Sequence, residues 1–208
     1  MYAKICGIKD SETLNYLIRH KYPPKFVGFI CNYPESIRYL KFEKLKKLIR
    51  IKKKKNMNFV SVLVNPKKNI LEKIKQLDFD YLQLYDVSPI DTLNIKKQFN
   101  IKIISALTIQ NINDVMLYEK YRNISEIILF DSKGYEKSQE FDHGLLKNVS
   151  NKITKMLAGN IQYNDKLDKY KKITDIIDIS GSLETKGEKD ISKIDIFLKK
   201  IKQISNEA

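Results

Sequence analysis

A cysteine and an aspartate each follow a short apolar segment, and their chemistry suits proton transfer. Cys6 ends the segment that begins at Ala3, and Asp131 follows Ile127–Phe130. Because side chains alternate along a strand, Lys4 shares a face with Cys6, and its positive charge favours the thiolate of that cysteine. Partial burial disfavours the charged form of Asp131, which suits a general acid, although this carboxylate could instead cap the following turn. We therefore predict a base and an acid at the ends of two different strands.

Two turns rich in small residues could hold an anion. One reads Ala158–Gly159–Asn160, the other reads Ser180–Gly181–Ser182, and each follows an apolar segment. Small residues leave backbone amides open to a ligand, and such amides bind phosphate. Two ordinary tight turns are the alternative interpretation. Asp178 shares a strand face with Ser180 and would pair with Lys4 if the first and last strands are neighbours.

Arg38 and Gln83 are further candidates for contacts with a substrate. Only four of the 39 basic residues are arginines, so each arginine is informative. A guanidinium in a fixed position holds a carboxylate through two hydrogen bonds, which a flexible lysine does not do. Gln83 shares a predicted strand face with Tyr81 and Tyr85 and is expected to point inward. The two histidines fit neither a triad nor a metal site, and no P-loop or dinucleotide fingerprint occurs, so we expect no metal and no cofactor.

These residues need a scaffold, and the apolar segments supply it. Short β-branched or aromatic runs alternate with longer amphipathic, lysine-rich segments, which predicts a strand–helix unit repeated eight times. Eight units in 208 residues leave about 26 residues each and no room for a second layer. We predict a single α/β domain over residues 1–208 that forms a closed (β/α)8 TIM barrel. The predicted strands are Ala3–Cys6, Phe26–Ile30, Phe59–Val64, Tyr81–Tyr85, Lys102–Leu107, Glu126–Asp131, Thr154–Ala158 and Asp175–Ser180, and the predicted helices include Ser11–Lys21, Asn69–Leu77, Ile90–Phe99, Ile112–Tyr121 and Asp190–Ile204.

A doubly wound open sheet is the alternative fold. It would normally place a GxGxxG turn after the first strand, where this chain has Cys6–Gly7–Ile8–Lys9. The placement of glycine favours the barrel, because four of only seven glycines follow predicted strands one, six, seven and eight. Barrel enzymes build their active sites at that end of the strands. The four glycines are Gly7, Gly134, Gly159 and Gly181.

The formal net charge of +14 would suit a nucleic-acid partner. Lysine is spread over the whole chain, however, and a site built to read bases would favour arginine. We therefore predict no nucleic-acid partner and a positive field that speeds the capture of an anionic substrate. The apolar runs are too short to span a membrane, no signal peptide is evident, and two cysteines suggest reduced thiols. These features predict a cytoplasmic protein without membrane attachment.

The candidate catalytic and binding residues lie in segments that resemble the phosphoribosylanthranilate isomerase family of tryptophan biosynthesis. The similarity runs the length of the chain and keeps the family's order. The motif KICG near the start of the chain is specific to this family. The whole series of matching segments, in the family's order, is far more specific. The matching segments are Lys4–Ile8 (KICGI), Val27–Ile30 (VGF), Tyr33–Tyr39 (YPxSxRY), Val62–Asn65 (VFVN), Leu82–Leu84 (VQLHG), Leu129–Ser132, Phe141–Asp142, Leu157–Gly159, Asp178–Glu184 and Gly187–Asp190.

The resemblance implies an Amadori rearrangement of N-(5-phosphoribosyl)anthranilate on a TIM barrel without a cofactor. It implies that Cys6 removes the C2 proton as general base and that Asp131 protonates the ribose ring oxygen as general acid. Arg38 would hold the anthranilate carboxylate, and the loops at Gly159 and Gly181 would hold the phosphate. The expected partner is thus a small molecule with phosphate and carboxylate groups, and the expected assembly is a monomer or a homodimer.

Several positions depart from the family pattern, and two other functions stay open. The histidine of VQLHG is Tyr85 here, the tryptophan after Phe141–Asp142 is His143, and the glycine-rich loop after strand six reads Tyr135–Glu140. One alternative is another sugar-phosphate barrel enzyme of amino-acid biosynthesis, although the isomerase of histidine biosynthesis would carry aspartate in place of Cys6. The other alternative is a non-catalytic basic binding protein, whose binding to nucleic acid would depend steeply on salt.

Overall fold

Eight parallel strands form a closed barrel, which confirms the predicted fold. The computed structural model describes residues 1–132 and 141–206, so Gly134 and the altered loop 135–140 lie outside the described residues. The strands pair in chain order, and the eighth closes the barrel against the first. They are β1 (Tyr2–Ile5), β2 (Phe26–Ile30), β3 (Asn58–Val64), β4 (Tyr81–Tyr85), β5 (Lys102–Ile109), β6 (Ile127–Ser132), β7 (Thr154–Leu157) and β8 (Ile176–Ile179).

Within the described residues, α-helices follow six of the eight barrel strands. They are α1 (Ser11–Arg19), α2 (Phe42–Ile49), α3 (Lys68–Lys75), α4 (Pro89–Phe99), α5 (Ile112–Met116) and α6 (Ile191–Asn206). After β6 and β7 the described chain forms only 3₁₀ turns, at His143–Asn148 and Leu167–Tyr170. The predicted barrel of strand–helix units is confirmed as a whole, but after β7 the described chain has a 3₁₀ turn at Leu167–Tyr170, which the flanking Asn164 and Asp165 favour. No helix in the described ranges is long and apolar enough to cross a membrane.

Side-chain caps fix the starts of the helices that follow β1 and β8. Asp10 accepts a hydrogen bond of 2.7 Å from the backbone N–H of Thr13 at the start of α1. Asp190 accepts one of 2.9 Å from the backbone N–H of Ser192 at the start of α6. Such caps satisfy amides that have no partner within the helix. Both loops that precede these helices are thereby anchored close to the barrel rim.

Apolar side chains fill two layers, one between the strands and the helices and one inside the barrel. A large apolar side chain contributes about 1.5–3 kcal/mol when it is fully buried. Polar side chains, among them Lys4, Gln83 and Asp178, are buried within the same barrel. The inner layer includes Phe26, Val60, Tyr81, Ile104, Leu129, Met156 and Ile176.

A glycine in β2 makes room for the sulphur of Cys6. A Cβ atom on Gly28 would lie 2.8 Å from Sγ of Cys6, which is closer than real Cβ contacts. Because the interior is closely packed, any side chain at this position would displace the sulphur or the strand. The absence of a side chain at Gly28 thus allows Cys6 to sit at the rim of the barrel.

Candidate active site

A cavity of about 550 Å³ opens at the carboxyl end of the barrel strands. Ile30, Val62 and Val64 give part of its wall an apolar character. No group of three or more His, Cys, Asp or Glu side chains in the described part of the chain is arranged to hold a metal ion. The cavity is lined by every predicted site residue except Gln83, namely Cys6, Arg38, Asp131, Gly159, Asn160, Asp178, Ser180, Gly181 and Ser182.

Lys4 and Asp178 form a buried ion pair between β1 and β8. They occupy paired register positions, and Nζ of Lys4 donates a hydrogen bond of 2.6 Å to Oδ2 of Asp178. Burial alone would lower the pKa of Lys4, but the charges and hydrogen bonds of Asp178 and Cys6 together outweigh this effect and the pKa is raised. The pairing predicted from strand periodicity is therefore confirmed.

The thiol of Cys6 is less acidic than the sequence predicts. Burial raises its pKa above the ordinary value of a thiol, and this effect outweighs the opposite influence of Lys4. Asp178 raises the pKa of Cys6 as well, because its negative charge disfavours a thiolate nearby. Lys4 does favour the thiolate, as expected, but burial is the larger effect and Asp178 adds to it, so the net pKa of Cys6 is raised.

The carboxyl group of Asp131 is partly buried at the end of β6 and has two donors. Its Oδ1 accepts a hydrogen bond of 2.8 Å from the backbone N–H of Ser132, and its Oδ2 accepts one of 2.7 Å from the hydroxyl of Tyr85. Burial raises the pKa of Asp131 to about 6, although the hydrogen bond from Tyr85 acts in the opposite direction. The predicted rise is confirmed. A carboxyl group with this pKa is available in both protonation states near neutral pH.

Gln83 lies outside the cavity lining and is linked to it by a hydrogen bond to Tyr85. Its side chain is 1% exposed, and Nε2 donates a hydrogen bond of 3.2 Å to the hydroxyl of Tyr85. Gln83 does point inward, but it lies outside the cavity lining. Tyr85, which the sequence placed on the same strand face, lines the cavity instead. It was missed as a candidate site residue because a tyrosine in a strand usually serves packing.

Arg38 is held by a carboxylate that the sequence analysis did not single out. Its Nε and Nη2 donate hydrogen bonds of 2.6 and 2.8 Å to the two oxygens of Glu184. These bonds raise the pKa of Arg38. Burial would raise the pKa of Glu184, but Arg38 and Lys189 lower it overall. A Cβ atom on Gly7 would lie 2.4 Å from Cδ of Arg38, so a glycine is required where the arginine crosses the first loop.

A short hairpin of β9 (Glu184–Thr185) and β10 (Glu188–Lys189) connects Arg38 to the loop after β8. The buried Nζ of Lys189 donates hydrogen bonds of 2.8 Å to Oε1 of Glu184 and 3.0 Å to the carbonyl of Ser180. One carboxylate therefore joins the arginine to the loop after β8. The sequence signal for the pairing of Arg38 with Glu184 was that each residue lies in a segment matched to the family.

The turn after β7 packs directly on the end of β6. Gly159 has a φ of 93° and Asn160 a φ of 50°. A Cβ atom on Gly159 would lie 2.7 Å from Cβ and 2.8 Å from the backbone nitrogen of Ser132. Position 159 requires glycine because of its positive φ and because a Cβ there would meet Ser132. At position 160, asparagine tolerates the left-handed conformation. The turn is therefore built for close approach rather than for side-chain packing.

Three buried polar atoms at the cavity have no hydrogen-bond partner among the described residues. They are Oγ of Ser132, Oδ1 of Asp178 and Oγ of Ser182, and all three residues line the cavity. Buried polar atoms are nearly always hydrogen-bonded, so these atoms are suited to a polar ligand. Ser180 differs, because its hydroxyl donates a bond of 3.0 Å to the carbonyl of Cys6 and holds the closure of β1 against β8.

The fold and the site together define a class of protein. A closed (β/α)8 barrel carries a titratable thiol, a carboxyl group with a pKa of about 6, a fixed guanidinium and two turns of small residues around one cavity. That combination is typical of barrel enzymes that move protons on a phosphorylated substrate.

Comparison with known proteins makes the class specific. The family model described as N-(5'-phosphoribosyl)anthranilate (PRA) isomerase matches residues 3–200. The isomerase of Staphylococcus haemolyticus is 34% identical over 217 residues and covers 97% of this chain and 99% of the relative. The isomerase of Campylobacter jejuni is 30% identical over 205 residues, and the alignment covers 96% of this chain and 98% of the relative. The chain therefore belongs to the N-(5'-phosphoribosyl)anthranilate isomerase family, and it is an enzyme.

Solved structures agree with this assignment. The isomerase of Thermotoga maritima superimposes with a TM-score of 0.83 at 25% identity and covers 98% of this chain and 99% of that one. A family structure in complex with reduced 1-(o-carboxyphenylamino)-1-deoxyribulose 5-phosphate has a TM-score of 0.81 at 24% identity, with the same coverage. At that identity the second comparison supports the fold alone.

Proposed function

We propose that the chain converts N-(5-phosphoribosyl)anthranilate to 1-(2-carboxyphenylamino)-1-deoxyribulose 5-phosphate, the third step of tryptophan biosynthesis from chorismate, with Cys6 as general base and Asp131 as general acid. The observation that carries the residue assignment is that both side chains line one cavity at the carboxyl rim. Cys6 directly follows β1 and Asp131 lies near the end of β6, so a substrate bound in the cavity can contact both. The raised pKa of Asp131 suits a proton donor near neutral pH.

Each proton in this rearrangement has a donor and an acceptor. Asp131 gives its proton to the ring oxygen, the C1–O bond breaks, and the nitrogen lone pair forms a C1=N bond. Cys6 then takes the proton from C2, and its electrons leave an enolamine. The thiol of Cys6 then gives its proton to C1 and the carboxylate of Asp131 takes the proton of the C2 hydroxyl, which leaves the ketone. Because substrate and product are isomers, the base and the acid are regenerated without a net proton or an external oxidant.

The two anionic ends of the substrate have separate sites in this proposal. Arg38 takes the anthranilate carboxylate, because Glu184 occupies Nε and Nη2 and leaves Nη1 outside that pair. The aromatic ring lies against the apolar part of the wall. The phosphate lies between the turns at Gly159–Asn160 and Gly181–Ser182, where the Ser182 hydroxyl has no described partner.

Asp178 and Gln83 complete the proposed set of substrate-site residues. Oδ1 of Asp178 accepts a hydrogen bond from a sugar hydroxyl, since it faces the cavity without a described partner. Gln83 acts indirectly, through its hydrogen bond to Tyr85. A reaction that consists of proton transfers requires no cofactor.

We also propose the setting in which the chain acts. Residues 1–208 form one catalytic domain in the cytoplasm, with a small anionic substrate and no nucleic-acid or membrane partner. The net charge of +14 favours capture of that substrate. A monomer or a homodimer is expected, and a solved structure of the Thermotoga maritima isomerase describes monomers generated from a dimeric protein.

The test follows the loss of phosphoribosylanthranilate fluorescence in wild type, Cys6→Ala and Cys31→Ala side by side. Cys31 is a second buried thiol outside the cavity lining, so it controls for loss of a cysteine as such. Turnover by wild type and Cys31→Ala, with a loss on the order of 10²-fold or more in Cys6→Ala, supports the base. No turnover by wild type would instead favour another sugar-phosphate substrate. Salt-sensitive binding of nucleic acid without turnover would favour the basic binding protein.

A further inference from the structure

The proposed acid is coupled to a tyrosine that the rearrangement itself does not require. Oδ2 of Asp131 accepts a hydrogen bond of 2.7 Å from the Tyr85 hydroxyl. The two residues stand on β6 and β4, with β5 between them, so the bond crosses the mouth of the barrel. Tyr85 is 7% exposed and lines the same cavity as Asp131. It is therefore close enough to influence the acid without being part of the proton path.

We propose that Tyr85 is a positioning residue for Asp131. Its hydroxyl fixes the carboxyl group in one orientation and stabilises the anion that remains after Asp131 has given its proton to the substrate. This inference rests on the proposed function, because it assumes that Asp131 is the acid. In the step itself the O–H bond of Asp131 breaks and an O–H bond to the sugar ring oxygen forms, while Tyr85 keeps its own proton throughout.

The direction of the hydrogen bond follows from what lies beneath it. Nε2 of Gln83 donates to the Tyr85 oxygen at 3.2 Å, so the phenol accepts from below and is left to donate toward Asp131. Burial and the neighbouring charge of Asp131 raise the pKa of Tyr85 well above its ordinary value. The phenol is therefore a neutral donor over the whole working pH range. Gln83 thus donates to Tyr85, and Tyr85 donates to Asp131, which accepts at the end of the chain.

Other charged groups act on the same carboxyl group from different strands. Asp178 on β8 raises the pKa of Asp131, and Lys4 on β1 lowers it. The backbone N–H of Ser132 also lowers it, through the hydrogen bond to Oδ1. Among these influences that of Tyr85 is second only to burial, and it is the one that a single side-chain substitution removes without placing or deleting a formal charge.

The experiment measures the titration of Asp131 directly. Protein labelled with ¹³C at aspartate carboxyl carbons is titrated by NMR, and the Asp131 resonance is identified by its loss in Asp131→Asn. Tyr85→Phe is expected to raise the midpoint from about 6 by about one pH unit, as expected when a hydrogen bond to a charged group is lost. Tyr81→Phe removes a hydroxyl from the same face of β4 and is expected to leave the midpoint unchanged.

A second variant keeps the inference testable if Tyr85→Phe does not fold. Gln83→Met removes the donor beneath the phenol and is expected to raise the midpoint by a smaller amount in the same direction. A midpoint equal to that of wild type in folded Tyr85→Phe, or in Gln83→Met when it alone folds, would overturn the role of Tyr85. The NMR titration needs no turnover, so failure of the fluorescence assay in wild type would count against the proposed function and not against this coupling.

Discussion

Nζ of Lys4 lies 2.6 Å from Oδ2 of Asp178, and both side chains are buried at the seam between β1 and β8. A buried ion pair costs desolvation of both groups, so its presence alone is weak evidence for stability. Removal of one partner is a different matter, because it leaves the other charge buried and uncompensated. The pair therefore makes the closure of the barrel sensitive to single substitutions at either residue.

Lys4→Met is expected to lower the free energy of unfolding by about 3–5 kcal/mol, because Asp178 then remains without its counter-charge. Urea unfolding followed by circular dichroism measures the change. Lys9→Met is the control, since Lys9 pairs with the exposed Glu188 and such pairs contribute about 0–1 kcal/mol. Adding Asp178→Asn to Lys4→Met should recover part of the loss. Equal stability of Lys4→Met and wild type would contradict the argument.

The dependence of kcat/KM on pH should reveal an unusual pair of protonation states. In the proposed mechanism the active form combines protonated Asp131, with a pKa of about 6, and the thiolate of Cys6, whose pKa is raised above its ordinary value. Below pH 6 the rate rises with pH as thiolate forms. Between the two pKa values a gain in thiolate is cancelled by an equal loss of protonated Asp131. The profile is thus expected to be level there and to fall only beyond the ordinary titration range of a thiol.

Asp131→Asn tests which residue produces the change of slope near pH 6. The variant is expected to lose on the order of 10²-fold or more in kcat. Its remaining activity should continue to rise with pH until Cys6 titrates, because no acid is being deprotonated. Steady-state rates from about pH 5 to about pH 10 would show this, because that range includes the pKa of about 6 of Asp131 and the ordinary pKa of a thiol. A level region that persists in Asp131→Asn would assign the change of slope to another group.

Glu184→Gln is expected to raise KM by about tenfold while kcat changes less, because a neutral amide no longer fixes the guanidinium of Arg38 through charge-assisted hydrogen bonds. Arg38→Ala should likewise act mainly on KM. The two substitutions should be less than additive when combined, since both remove the same arrangement. Glu188→Gln is the matched control, because Glu188 is largely exposed and pairs with Lys9. An unchanged KM in Glu184→Gln would mean that Arg38 is held adequately by other contacts.

Gly159→Ala is expected to weaken the binding of inorganic phosphate and of the substrate. The new Cβ would meet Ser132 at 2.7 Å, and the residue would be held at a φ of 93°. Gly187→Ala is the control for backbone strain alone, since its φ is 79° but the nearest atom to its Cβ is 3.8 Å away. Both variants should lose stability, by about 1–3 kcal/mol for the strained backbone. Equal phosphate affinity in wild type and Gly159→Ala, measured by calorimetry, would place the phosphate elsewhere.

The fold and most of the cavity lining follow from local sequence patterns. Phe26–Ile30 and Tyr81–Tyr85 are strands with the predicted bounds, because β-branched and aromatic runs bounded by polar residues favour extended chain. Alternation along β1 and β8 placed Lys4 and Asp178 on one face, and closure of the barrel brought them together. Periodicity is a local property, so it predicted these features from single segments.

Properties that depend on several strands at once could not be predicted in the same way. The direction of the Cys6 pKa is set by the balance of burial, Lys4 and Asp178, and burial is visible only in the folded barrel. The partnership of Arg38 and Glu184 joins residues 146 positions apart. Gln83 faces inward as predicted, but the layer it occupies depends on the stagger of the neighbouring strands. The alternation of side chains predicts which face of a strand a residue occupies. It does not predict how far that residue lies from the rim of the barrel.

The seam between β1 and β8 also has a consequence for the order in which the protein can mature on the ribosome. Lys4 and Asp178 are 174 positions apart, so at typical synthesis rates the lysine emerges roughly 10–30 s before its counter-charge. Until then an ammonium group in the barrel interior would lack its counter-charge, which disfavours premature closure of the first seven strands. Closure of the barrel therefore waits for the synthesis of β8, and the proposed base Cys6 reaches its final environment only when that strand has been added.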